Sequence, residues 1–102
     1  MKKRIFTGAG VAIATPMLPD GSIHWDELGR MIDWQIENHT DCIVICGTTG
    51  ESATMTDQEH IDSIRFAVEH AAGRIPVVAG AGSNDTRYAV EMAKEAKNLG
   101  AD

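Results

Sequence analysis

Three short apolar runs alternate along the chain with three segments whose apolar residues recur every three or four positions. Val11-Ala12-Ile13-Ala14, Cys42-Ile43-Val44-Ile45-Cys46 and Pro76-Val77-Val78-Ala79-Gly80 are continuous and bounded by turn residues, the pattern of strands covered on both faces. They predict strands over about residues 10–14, 42–46 and 76–80. Leu28, Met31, Ile32 and Ile36 fall at helical spacing and predict a helix over 25–38. Ile61, Ile64, Ala67, Val68 and Ala71 predict a second over 57–72, opened by the capping-box sequence Thr56-Asp57-Gln58-Glu59 and closed at Gly73. Ala89, Val90, Ala93, Ala96 and Leu99 predict a third over 86–99, closed at Gly100.

Such an alternation demands a parallel sheet with right-handed crossovers. No linker or low-complexity segment separates the units, and Gly100-Ala101-Asp102 reads as a turn into a fourth strand. Three units cannot close a (β/α)8 barrel, which takes about 250 residues, and an open three-stranded sheet would expose two edges. The expected class is therefore α/β. Residues 1–102 would be the N-terminal (βα)3 portion of a single TIM-barrel domain, incomplete in this chain; a small open α/β domain is the alternative.

Composition narrows the partners. The 102 residues carry a formal charge of −6 without an acidic or basic block, which argues against nucleic acid, although one loop can still oppose the net charge and take an anion. Cys42 and Cys46 share a strand face but would lie roughly 13 Å apart along it, too far for a disulfide. Two reduced core thiols point to a reducing compartment, and a cytoplasmic location is expected. Met1-Lys2-Lys3-Arg4 superficially resembles the start of a signal peptide, but Thr7, Gly8, Gly10 and Thr15 interrupt the apolar stretch after it. No run approaches the ~18 apolar residues of a membrane span.

The candidate chemistry lies in Cys46-Gly47-Thr48-Thr49-Gly50-Glu51-Ser52-Ala53-Thr54, the loop leaving the second strand. Sites in α/β proteins gather at the carboxyl ends of strands. Gly47 and Gly50 are expected to let the backbone turn sharply, so that its N–H groups converge on an anion while Thr48 and Thr49 add hydroxyls. Glu51 reads as a structural hydrogen-bonding or ion-pairing group rather than a catalytic acid. Gly80-x-Gly82 lacks the third glycine of a dinucleotide fingerprint, and no Walker lysine is present. His24, His39, His60 and His70 form no ligand pair, so neither metal nor cofactor is expected. Trp25 and Trp34 are expected to pack against neighbouring elements.

Val11-Ala12-Ile13-Ala14-Thr15-Pro16-Met17, Gly47-Thr48-Thr49-Gly50-Glu51-Ser52-Ala53-Thr54 and Arg74-Ile75-Pro76-Val77-Val78-Ala79-Gly80-Ala81-Gly82 together resemble the dihydrodipicolinate synthase family. This is a group of pyruvate-dependent class I aldolases with N-acetylneuraminate lyase as a sister. The likeness covers essentially the whole chain, about the first third of such an enzyme. The sialic acid lyases usually carry Ser at the position of Thr48, which favours the synthase branch. The resemblance implies a lyase of lysine and diaminopimelate biosynthesis, which joins pyruvate, held as a lysine Schiff base, to aspartate 4-semialdehyde.

On that resemblance Thr48 matches the threonine that relays a proton between two tyrosines, and Thr49 the one that holds the pyruvate carboxylate. The reacting lysine and both tyrosines would lie beyond Asp102; Lys94, Lys97 and Tyr88 match none of them, so residues 1–102 alone are expected to be inactive. Ser52, Ala53, His60 and Asn84 match a lysine-effector site, whereas Asp57 stands where inhibited members have histidine and Tyr88 where they have glutamate. Weak lysine inhibition is the consequence expected. The family is usually built of dimers paired into tetramers. Two alternatives stand beside this reading: a related aldolase acting on a sugar acid, and a non-catalytic assembly module.

Overall fold

The computed structural model describes residues 2–102. β1 (Gly10–Ala12), β2 (Cys42–Ile45) and β3 (Val77–Ala79) form one parallel sheet in the order β1-β2-β3. Each strand is followed by a helix: α1 (Trp25–Glu37), α2 (Asp57–Ala71) and α3 (Thr86–Leu99). The strands are shorter than the apolar runs that announced them, yet the ladder continues past both ends. Ile13 N–H donates to Val44, Ile43 N–H to Pro76 and Gly80 N–H to Ile45, so the difference is one of where a strand is said to stop.

Register explains which side chains meet the helices. Ala12 pairs with Val44 and Val44 with Val78, forming one cross-strand row. Their neighbours Val11, Ile13, Ile43, Ile45, Val77 and Ala79 point the other way and join Leu28, Ile32, Ile64 and Ala67 in the core. Period-two alternation thus divides the sheet into a helix-covered face and a face of small side chains. Ala12 on that second face is exposed, and Val44 and Val78 are half-buried.

The helices start where the sequence provides acceptors for their first amides. Thr56 Oγ1 accepts from Glu59 N–H at 3.1 Å while Glu59 returns a carboxylate oxygen to Thr56 N–H at 2.9 Å, completing the expected capping box. Asp85 accepts from Arg87 and Tyr88 N–H at the start of α3. His24, whose Nδ1 accepts from Glu27 N–H, caps α1. At its other end α3 leads through Gly100, φ 99°, onto the free edge of β3, where Asp102 N–H donates to Val77 and its carboxylate accepts Val77 N–H. Asp41 makes the same kind of contact, taking Ala9 N–H ahead of β1.

Two packing expectations are corrected. In α3 the buried positions are Met92 and Ala96, whereas Val90 and Ala93 face outward. Alanine marks no face strongly, so five apolar residues fitted a stripe that the larger Met92 overrides. Trp25 does pack, its ring 5.2 Å from that of Phe66. Trp34 does not: it is 58% exposed on the outer side of α1.

Helices α1 and α2 are joined by a polar clamp over this aromatic contact. One oxygen of Asp33 accepts from Arg74 Nη2 at 2.9 Å and meets His70 Nε2 at 3.0 Å, and the His70 ring stacks on Phe66. Gly29 allows the approach, since a Cβ there would meet the His70 ring at 3.0 Å. The Arg74 hydrogen bond, with His70 adding to it, holds the Asp33 carboxyl below its ordinary value of 3.8. A depressed carboxyl contributes stability above its unfolded value and loses that contribution as pH falls through the lower folded value. Urea midpoints of the full-length protein followed from neutral pH down to pH 3 should therefore fall, and Asp33→Asn should flatten the last part of that decline. An identical decline in the variant would remove the clamp as its source.

Candidate active site

The loop from Cys46 to Glu51 sits at the carboxyl end of the sheet and is fixed from both neighbouring strands. On the β1 side, the buried Thr15 hydroxyl donates to the Gly50 carbonyl at 2.7 Å. On the β3 side, the Gly80 backbone lies so close that a Cβ on it would stand 2.1 Å from the Cys46 carbonyl oxygen and 3.0 Å from Gly47 N. Only glycine fits there. Beneath the loop Cys46 Sγ reaches the His60 carbonyl at 3.9 Å, and burial pushes its thiol up to about 11. Cys46 is thus a neutral core thiol rather than a nucleophile. Both cysteines are free and buried.

The sharp turns are made by residues other than those expected. Cys46 and Glu51 adopt the left-handed conformation, each with φ 60°, whereas Gly47 and Gly50 do not. Gly50 serves close approach instead: a Cβ would stand 3.3 Å from Cys46 N, Cys46 Cα and the Ile13 carbonyl. Gly47 has only Val44 Cγ1 within reach, at 3.7 Å. Glu51 is exposed and takes part through its backbone, accepting from Thr54 N–H and the Thr54 hydroxyl; among the described residues its carboxylate forms no ion pair.

Thr48 and Thr49 stand exposed at the tip of this held loop. None of the N–H groups of Gly47, Thr48, Thr49 and Gly50 donates to a backbone carbonyl of the described residues. Four amides and two hydroxyls at the end of a parallel sheet form a donor set that can hold a carboxylate. Among the described residues no three His, Cys, Asp or Glu side chains converge as metal ligands, and no helix is long and apolar enough to cross a membrane.

A second cluster lies on the helix side. Ser52, Ala53, His60 and Asn84 line one cleft of about 450 Å³ together with Asp57 and Tyr88, so the structure brings together all six positions that the sequence grouped. His60 is 4% exposed and its ring is fully engaged, with Nε2 2.7 Å from the Gly80 carbonyl and Nδ1 3.2 Å from the Tyr88 hydroxyl. Burial and the Asp57 carboxylate raise the Tyr88 phenol above its ordinary value, so the hydroxyl keeps its proton. Thr15, Gly80 and the Tyr88–His60 contact were not singled out from the sequence. His60 carried the available signal: it shares the buried stripe of α2 with Ile64, Ala67 and Ala71, where a polar residue needs a partner.

Comparison with known proteins places this geometry among relatives. The profile of the dihydrodipicolinate synthetase family matches residues 5–102. The 4-hydroxy-tetrahydrodipicolinate synthase of Lachnoclostridium phytofermentans is 56% identical over 98 residues, covering 96% of this chain and 33% of that protein. Among solved structures, dihydrodipicolinate synthase from Acinetobacter baumannii, complexed with pyruvate, superposes with a TM-score of 0.94 at 47% identity, covering 97% of this chain and 34% of that one. The enzyme from Aquifex aeolicus gives 0.92 at 48% identity over 95% of this chain and 33% of its own. The chain spans about a third of the length of the curated relatives it matches. Its three βα units correspond to part of their TIM barrel.

The two loop glycines make opposite predictions. Gly50→Ala in the full-length protein should cost about 1–3 kcal/mol, because the backbone of Cys46 and of Ile13 cannot readily yield. Gly47→Ala should stay within about 0.5 kcal/mol. Equilibrium unfolding separates them, and equal losses would contradict the close-packed role of Gly50.

Proposed function

The chain belongs to the dihydrodipicolinate synthetase family, and from this we propose that it forms the N-terminal third of a 4-hydroxy-tetrahydrodipicolinate synthase. This is a single-barrel lyase of lysine and diaminopimelate biosynthesis. It joins pyruvate to aspartate 4-semialdehyde. The observation that carries the reading is the loop at residues 47–50, whose amides have no backbone acceptor among the described residues and whose threonines stand exposed beside them.

In this mechanism a lysine from the remainder of the protein condenses with the pyruvate ketone, releasing water and leaving an imine. Loss of a methyl proton converts the imine to an enamine, whose carbon attacks the aldehyde. Thr49 and the loop amides hold the pyruvate carboxylate, and these donors need no rearrangement because Thr15 and Gly80 already fix the backbone that carries them. Thr48 relays protons between tyrosines of the assembled enzyme, a hydroxyl being able to donate and accept at once. Lys94 and Lys97 are exposed on α3, away from this loop, which supports a lysine from elsewhere and inactivity of residues 1–102 alone. The assembled protein works in the cytoplasm as a homodimer or homotetramer.

Borohydride reduction of the full-length protein with pyruvate should leave one pyruvyl-derived group on one lysine, detected by mass spectrometry. Turnover of aspartate 4-semialdehyde should then exceed that of sugar-acid aldehydes. No adduct would defeat the reading, and a preference for the sugar acid would favour the related aldolase. Thr49→Val should raise the pyruvate KM about 10–100-fold, the worth of a hydrogen bond to a charged group. Thr48→Val should lower kcat by about 10²-fold or more.

The second cleft supports weak control by lysine. Inhibited members carry a carboxylate where Tyr88 stands, and a phenol offers an ammonium no counter-charge. The Tyr88 hydroxyl also occupies Nδ1 of His60. Lysine at low concentration should leave turnover unchanged; strong inhibition would refute this account of the cleft.

A further inference from the structure

We infer that His60 is a positioning residue for the carboxylate-binding loop, acting through the Gly80 carbonyl; this rests on the functional reading above. The linkage is short, and its parts are buried or half-buried. His60 Nε2 lies 2.7 Å from the Gly80 carbonyl, Gly80 N–H donates to Ile45 at 2.8 Å, and the Gly80 Cα leaves no room beside the Cys46 carbonyl and Gly47 N. The end of β3 is thereby pressed against the first residues of the loop that carries Thr48 and Thr49.

The chemistry fixes the direction of each bond. A carbonyl only accepts, so Nε2 carries a proton, and in the singly protonated ring Nδ1 is left to accept from the Tyr88 hydroxyl. Burial, together with Asp57 lining the same cleft, favours the protonated form of that phenol. Helix α2 therefore supplies the donor, β3 transmits it and α3 sets the tautomer. Without the His60 bond, the Gly80 carbonyl would lose its partner and the wedge against Cys46 its support. A buried aliphatic residue at position 60 would fill space equally well but could not do this.

Amide substitutions separate the two ring nitrogens. In full-length H60Q the side-chain amide reaches as far as Nε2 and can still donate to Gly80, whereas in H60N it reaches only as far as Nδ1. H60N should raise the pyruvate KM about 10-fold with a smaller change in kcat, as expected for misplaced binding groups. It should also speed exchange of the Gly80 amide, which donates to Ile45, and of the Ile45 amide in the adjoining ladder together, without substrate present. H60Q should restore both within about 2-fold, and Y88F should leave the Gly80 linkage intact and shift KM less than H60N does. Equal behaviour of H60N and H60Q, or unchanged exchange of the Ile45 and Gly80 amides in a folded H60N, would overturn the inference. Should H60N not fold, exchange in the unmodified protein decides: the Ile45 and Gly80 amides should open with a common free energy, and independent opening would overturn it. Exchange is read without pyruvate, so failure of pyruvate to form its lysine adduct would count against the functional reading alone.

Discussion

The carboxyl end of β3 leaves no space for a side chain at Gly80, and the rest of the site depends on that contact. With a hypothetical Cβ only 2.1 Å from the Cys46 carbonyl, the two backbones are as close as they can come. The close approach bends the chain out of β2 through a left-handed Cys46, and the loop then returns under the Thr15 hydroxyl. A loop clamped between its two neighbouring strands holds its donors in place before a ligand arrives. That is the condition under which hydrogen bonds to a carboxylate contribute most.

Buried polar groups follow the same logic. Thr15, His60 and Ser63 are the buried polar residues among those described, and each is hydrogen-bonded: Thr15 to Gly50, His60 to Gly80 and Tyr88, Ser63 to the Glu59 carbonyl. An unpaired group at any of these positions would cost about 1–3 kcal/mol. Thr15 and His60 direct their bonds to backbone at the strand ends rather than within their own element. The apolar core under the sheet supplies most of the stability, and these few polar bonds determine where the loops come to rest.

The periodicities of the sequence were enough for the three βα units, because continuous β-branched runs and the capping box at Thr56 state their structures locally. Ser52, Ala53, Asp57, His60, Asn84 and Tyr88 could be grouped only by resemblance, yet they share a cleft, since the ends of α2 and α3 lie on the same side of β3. What could not be read were features of tertiary contact. Gly50 and Gly47 look alike in sequence, but only the position of Ile13 and Cys46 makes one of them indispensable. Val90 and Met92 compete for the inner face of α3, and sheet geometry decides between them. Gly80 gave no sign of its wedge, because close approach is a property of two strands together.

On the proposed reading, the held amides and hydroxyls of residues 47–50 receive the carboxylate of pyruvate. The most direct test is amide NMR of full-length protein labelled with ¹⁵N-threonine, titrated with pyruvate. The Thr48 and Thr49 resonances should shift together and saturate, while those of Thr7 and Thr40, which precede β1 and β2 at the opposite end of the sheet, stay in place. Saturation with pyruvate that moves other threonines and leaves Thr48 and Thr49 unchanged would contradict it.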